Sequence, residues 1–71
     1  MGEELWAELA KRVTMARKKA GLTQEELAER ASISPTYIGF IEQGRRKPNP
    51  RTLQKICKGL GVRLEDLFRG L

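Results

Sequence analysis

The stretch TQEELAERASISPTYIGFIEQG, residues 23–44, most constrains what this chain can fold into, because its signals demand two short helices and leave almost nothing between them. Thr23 is a helix N-cap, Glu26 three residues later closes a capping box, and Leu22 with Leu27 flanks it as a hydrophobic staple. Leu27, Ala28 and Ala31 then share one face at helical spacing, with Gln24, Glu25, Glu29 and Arg30 mainly on the other. That helix must stop near Ala31, since Ser34 and Pro35 supply a fresh N-cap and a proline at the first helical position, where its missing N–H costs nothing. Only Ser32 and Ile33 remain for the turn. The second helix buries Ile38 and Ile41 and ends at Gly44, which suits the left-handed conformation of a helix C-cap.

Helices joined this closely cross steeply, with Ala28 as the small side chain at closest approach, and that is the geometry of a helix-turn-helix. Outward residues near the start of the second helix can then enter a DNA major groove while the first helix lies over the backbone. Together, GLTQEELAERA, SPTYIGFIEQG and the downstream LQKICKGLGVRLEDLF resemble the phage repressor and Cro type of DNA-binding domain, the xenobiotic-response-element family, over nearly the whole chain. The resemblance implies an all-α fold. It would be a compact five-helix, lambda-repressor-like DNA-binding domain over residues 1–71, with the helix-turn-helix formed by helices 2 and 3. The small controller proteins of restriction–modification systems and some antitoxins use the same unit.

Composition agrees. Seventy-one residues bury only roughly 60% of the surface of the unfolded chain, too little for a deep catalytic cleft, which argues against an enzyme. Fourteen Lys and Arg against nine acids give a formal charge of +5 and favour a polyanionic partner, without choosing between DNA, RNA and membrane. With no histidine and one cysteine, neither a disulfide framework nor a multi-cysteine zinc site is available, and no metal or cofactor is expected. No apolar run reaches membrane-spanning length and MGEEL is unlike a secretory signal, so cytoplasmic residence follows as the default.

Around the central unit, Leu5, Leu9, Val13 and Ala16 predict a first helix over 3–20 with one buried stripe, acidic at its start and basic thereafter. Lys18 and Lys19 read as a solvated face, with phosphate contact as the alternative, and Trp6 reads as a packing residue rather than a binding platform. Asn49 can cap a fourth helix over 50–59 that buries Leu53, Ile56, Cys57 and Leu60, with Cys57 a small core residue rather than a reactive thiol. Gly61 precedes a last short helix over 64–68, where Arg63 occupies a cap position it cannot fill.

The resemblance divides the contacts into two sets. Base contacts fall on Ser34, Pro35, Thr36, Tyr37 and Phe40. Pro35 and Phe40 lack bidentate hydrogen-bonding groups, which leaves thymine-methyl packing, Thr36, Tyr37 and DNA shape as the readout. Phe40 or Tyr37 could instead fold onto each other or onto a neighbouring helix. Phosphate contacts fall on Gln24, by its place at the start of helix 2, and on Gln43, Arg45, Arg46 and Lys47, whose alternative is a merely solvated turn. Ser32 sits where such turns usually carry glycine, so a left-handed conformation there would cost on the order of 1 kcal/mol. Glu42 lies in the last turn of helix 3, where the dipole disfavours a carboxylate, and Arg17 matches the arginine that pairs with it in the family, giving an expected Arg17–Glu42 ion pair. Leu64, Leu67, Phe68 and Leu71 form an apolar stripe for a homodimer, unless Leu67 and Phe68 fold back on Leu53 and Ile56.

The leading reading is a sequence-specific double-stranded DNA-binding regulator of transcription, a Cro-like repressor type acting as a homodimer on two half-sites. The alternative is a protein-interaction module, antitoxin-like, with weak or no DNA binding, against which the basic RRK loop argues. RNA binding lacks its usual aromatic-sheet or glycine-loop platforms.

Overall fold

A computed structural model describes residues 2–71; Met1, part of the expected 1–71 domain, lies outside them. Five helices follow one another: α1 (Gly2–Lys19), α2 (Gln24–Ala31), α3 (Pro35–Glu42), α4 (Pro50–Leu60) and α5 (Leu64–Phe68), with no strand among the described residues. Their starts are set by side-chain caps. Thr23 Oγ1 accepts from the Glu26 N–H at 3.0 Å while Glu26 Oε1 accepts from the Thr23 N–H at 2.8 Å, so both halves of the capping box form. Ser34 Oγ and Asn49 Oδ1 accept from Tyr37 and Thr52 N–H groups in the same way, each ahead of a proline at the first helical position. At α5 the reciprocal half alone exists, the Arg63 N–H donating to Asp66 Oδ2 at 3.3 Å, because a guanidinium has no acceptor atom.

Ser32 closes α2 in the left-handed region, φ 58° and ψ 43°, and the Ile33 N–H returns to the Ala28 carbonyl at 3.0 Å. This compresses the turn between α2 and α3 to the expected residues. The fourth helix runs past the expected end at Gly59 to Leu60, because Gly61, at φ 74°, is the residue that leaves the helix. Gly59 has a different task. A Cβ there would stand 3.0 Å from Leu27 Cδ1 and 3.3 Å from Arg30 Cβ, so the missing side chain lets α4 pack closely on α2.

The core joins Leu9 and Val13 of α1 to Leu27 and Ala28 of α2, Ile38 and Ile41 of α3, and Leu53, Ile56 and Cys57 of α4. Leu5, expected on the buried stripe, is half-buried at its upper end, and Trp6 packs against the core as expected. Leu67 requires a correction. It is 4% exposed inside the monomer core, with Leu64 and Phe68 half-buried against that core, so Leu67 has no surface left for a dimer stripe. Arg12 adds a polar tie to this apolar docking of α5, its Nη1 donating to the carbonyls of Leu67 (3.1 Å) and Arg69 and so satisfying the end of the helix with a cation.

The Ser32 conformation makes a direct prediction. Ser32→Gly removes the Cβ penalty and is expected to stabilise the fold by about 1 kcal/mol, raising Tm by about 4–8 °C in a thermal melt. An unchanged or lower Tm would show that Ser32 carries no such strain.

Candidate nucleic-acid interface

Helix α3 is anchored from inside by Ile38 and Ile41, at 0% and 2% exposure, and helical spacing then turns Thr36, Gly39, Phe40 and Gln43 outward as one stripe. Ser34, Pro35 and Thr36 are exposed at its start. Tyr37 and Phe40 are both half-buried, and it is Tyr37 that packs against the core. Gly39 leaves a gap in the stripe, and a Cβ there would touch only the Gln24 side chain, at an ordinary 3.7 Å. The gap is therefore not required by packing within the protein.

The far end of α3 is held by charge. Arg17 Nε donates to Glu42 Oε2 at 2.7 Å and Nη2 to Oε1 at 3.1 Å, a bidentate pair whose side chains are 11% and 6% exposed. Arg17 Nη1 also donates to the Leu22 carbonyl at 2.8 Å, and Gln24 Nε2 to Glu42 Oε1 at 3.1 Å, so α1, α3 and the start of α2 meet at one carboxylate. Burial alone would push the Glu42 carboxyl up. Hydrogen bonds from Arg17 and Gln24 and the Arg17 charge outweigh it, leaving the carboxyl below its usual value. The Glu42 hydrogen bond raises the Arg17 guanidinium against the opposing effect of burial. The expected ion pair is therefore present, and Gln24 belongs to it.

Beyond α3, Gly44 turns left-handed at φ 76° and the Arg45 N–H returns to the Phe40 carbonyl at 2.8 Å, placing Arg45, Arg46 and Lys47 on an exposed loop over buried Pro48. Lys47 Nζ donates to Glu3 Oε1 at 2.9 Å, whereas neither Arg45 nor Arg46 has an acidic partner among the described residues. Gln43, grouped from the sequence with this loop, instead extends the outward stripe of α3.

No group of three His, Cys, Asp or Glu side chains could hold a metal among the described residues. Cys57 is buried, and burial, with the Asp66 charge, pushes its thiol up, away from reactivity. Met15 escaped the sequence reading altogether. It is 69% exposed beside Ala16, Val62 and Leu67, and with Leu71, at 42%, it is one of two large exposed apolar side chains among the described residues, both bordering α5. Met15 falls off the three-and-four stripe of α1, which was the only signal that could have found it.

A helix-turn-helix family model matches residues 13–67. An uncharacterized HTH-type transcriptional regulator of Archaeoglobus fulgidus is 40% identical over 57 residues, covering 80% of this chain and 81% of that protein. The immunity repressor protein of Bacillus phage phi105 is 36% identical over 59 residues, which are 83% of this chain; the chain spans 41% of the repressor's length. Among solved structures, the restriction-modification controller protein C.AhdI from Aeromonas hydrophila superposes with a TM-score of 0.86 at 27% identity, covering 89% of this chain and 96% of that one.

The buried pair predicts a pH signature. Glu42 has a lower pKa folded than unfolded, so its contribution is complete above the ordinary glutamate value of about 4.3 and is lost as pH falls through the folded value. Glu42→Gln or Arg17→Met should each cost about 3–5 kcal/mol near neutral pH by stranding the partner, and the Glu42→Gln deficit should narrow in acid. Melts of both variants and the double variant test this; additive effects would mean that the two side chains do not act as a pair.

Proposed function

Because the chain belongs to the phage-repressor and Cro type of helix-turn-helix family, whose members regulate transcription by binding DNA, we propose that α3 is its recognition helix and double-stranded DNA its partner. The outward stripe of α3, flanked by the capped start of α2 and by Arg45 and Arg46 with no acidic partner among the described residues, is the observation that carries this reading. Ser34, Pro35, Thr36 and Phe40 face base edges, and Tyr37, whose half-buried ring leans on the core, joins them only through the part of its side chain left exposed. Phe40 and the proline ring offer apolar contact to thymine methyls, and Gly39 leaves room for the groove wall. Gln43, Arg45, Arg46 and Lys47 take phosphates, and so does Gln24, which lies beside the same C-terminal half of α3, together with the free first-turn N–H groups of α2. Since Gln24 already donates to Glu42, it offers its second amide hydrogen.

Affinity then comes chiefly from the loop and choice of sequence from α3. One helix with so few hydrogen-bonding readers discriminates poorly, and a two-fold dimer placing two such helices about 34 Å apart would double the readout. Leu64, Phe68 and Leu71 supply its contact, joined by Met15 in place of Leu67. No helix of the described residues is long and apolar enough to cross a membrane, in keeping with a cytoplasmic protein at its DNA. The reading assigns no catalytic role and no cofactor.

Arg45→Gln with Arg46→Gln should weaken binding to all duplexes alike and flatten the dependence of log K on log salt by about 0.9 for each phosphate no longer neutralised, whereas Thr36 and Tyr37 variants should change the preference among sequences. An unchanged salt slope would refute the clamp. Sedimentation of the unaltered protein at tens of micromolar is expected to show a dimer, and an 8.1 kDa species alone would remove it.

A further inference from the structure

Residues 43–64 hold seven of the fourteen basic residues and none of the nine acidic ones. The loop accounts for three of these cations. Three more, Arg51, Lys55 and Lys58, lie on α4 at spacings of four and three, so they share one narrow face directly opposite the buried Leu53, Ile56 and Leu60. All three are exposed, α4 contains no carboxylate, and none of the three is ion-paired among the described residues. A solvated face of a soluble helix ordinarily mixes signs, since like charges three and four apart repel.

We propose that this face of α4 is a second phosphate track. It would take the backbone of duplex DNA outside the segment read by α3, drawing the flank toward the protein. The inference rests on the DNA-binding reading and extends its surface. The track begins at Arg51 in the first turn of α4, four residues beyond Lys47, so it follows on from the phosphate clamp. From Arg51 to Lys58 it runs about 10 Å along the helix, which requires the flanking duplex to follow the protein surface rather than leave it. An acidic protein surface fits less well. The exposed residues beside the cations are Gln54 and a half-exposed Thr52, so the face lacks the apolar or aromatic anchor around which protein interfaces are built. Phosphates need no such anchor.

The test compares a duplex just covering the α3 site with one extended by a helical turn on each side, for the parent protein and for Lys55→Gln with Lys58→Gln. For the parent, extension should tighten binding and steepen the salt dependence by up to about 1.8, two phosphates at about 0.9 each for Lys55 and Lys58, because Arg51, in the first turn of α4, meets the short duplex as well. The double variant should bind the short duplex like the parent and show no such increment, whereas Lys18→Gln with Lys19→Gln, an equal removal of charge elsewhere, should keep it. An increment that survives in the double variant, or a parent that shows none, overturns the track and leaves the stripe to an acidic protein partner. Equal weakening on both duplexes also overturns it, by making these lysines part of the central site. Absence of binding to every duplex would instead overturn the DNA-binding reading, and the track with it.

Discussion

A carboxylate at the C-terminal end of α3 sits where the helix dipole and burial both oppose its charge, and the fold depends on how that opposition is met. Arg17 reaches Glu42 from the last turn of α1 with both arms of its fork, and its remaining nitrogen fixes the Leu22 carbonyl just before α2. Gln24 then adds a donor from the first turn of α2. Removing any one group strands another, so the relative placement of three helices is specified by polar geometry rather than by apolar contact alone. Packing of Ile38 and Ile41 holds α3 down; the ion pair stops it from turning. A one-residue rotation of α3, about 100° in an α-helix, would carry Thr36 and Phe40 away from the outward stripe, so this constraint also fixes which residues of α3 face outward.

Charge is distributed along the chain to match. Acids are concentrated in the first turns of α1, in α2 and in α5, and the region from the α3–α4 loop to the end of α4 is wholly basic. Within the outward stripe itself there is no charge, only Thr36, Gly39, Phe40 and Gln43. In the proposed reading, strong, sequence-independent attraction would thereby be separated from weak, shape-sensitive reading, and a paired copy would restore discrimination.

Much of this is legible in the sequence because the informative signals are local. Thr23, Glu26, Ser34 and Asn49 announce helix starts through side chains that reach only three residues, Pro35 marks one by its fixed φ, and all of those caps form. The Arg17–Glu42 pair spans 25 residues and follows from the dipole together with the family resemblance. Long-range pairings without such a guide leave no trace in the sequence. Lys47 finds Glu3 across 44 positions, and Arg12 finds Leu67 across 55. Leu67 departs from its expected role for a related reason. A three-and-four stripe states which residues share a face, not what covers that face, and here α5 folds back onto its own core. Tyr37 and Phe40 show the same limit, since three-residue spacing does not say which of the two leans inward.

In the proposed reading, the polar tie at Glu42 presents the outward face of α3, with its flanking loop, to duplex DNA. Backbone amide chemical shifts recorded by NMR during titration with duplex DNA test it most directly. The largest changes are expected at Gln24, Thr36, Tyr37, Phe40, Gln43, Arg45 and Arg46, with Glu4 and Glu8 on the opposite part of α1 nearly unmoved. Changes centred on α1, or none in α3 and its loop while DNA is bound, would contradict it.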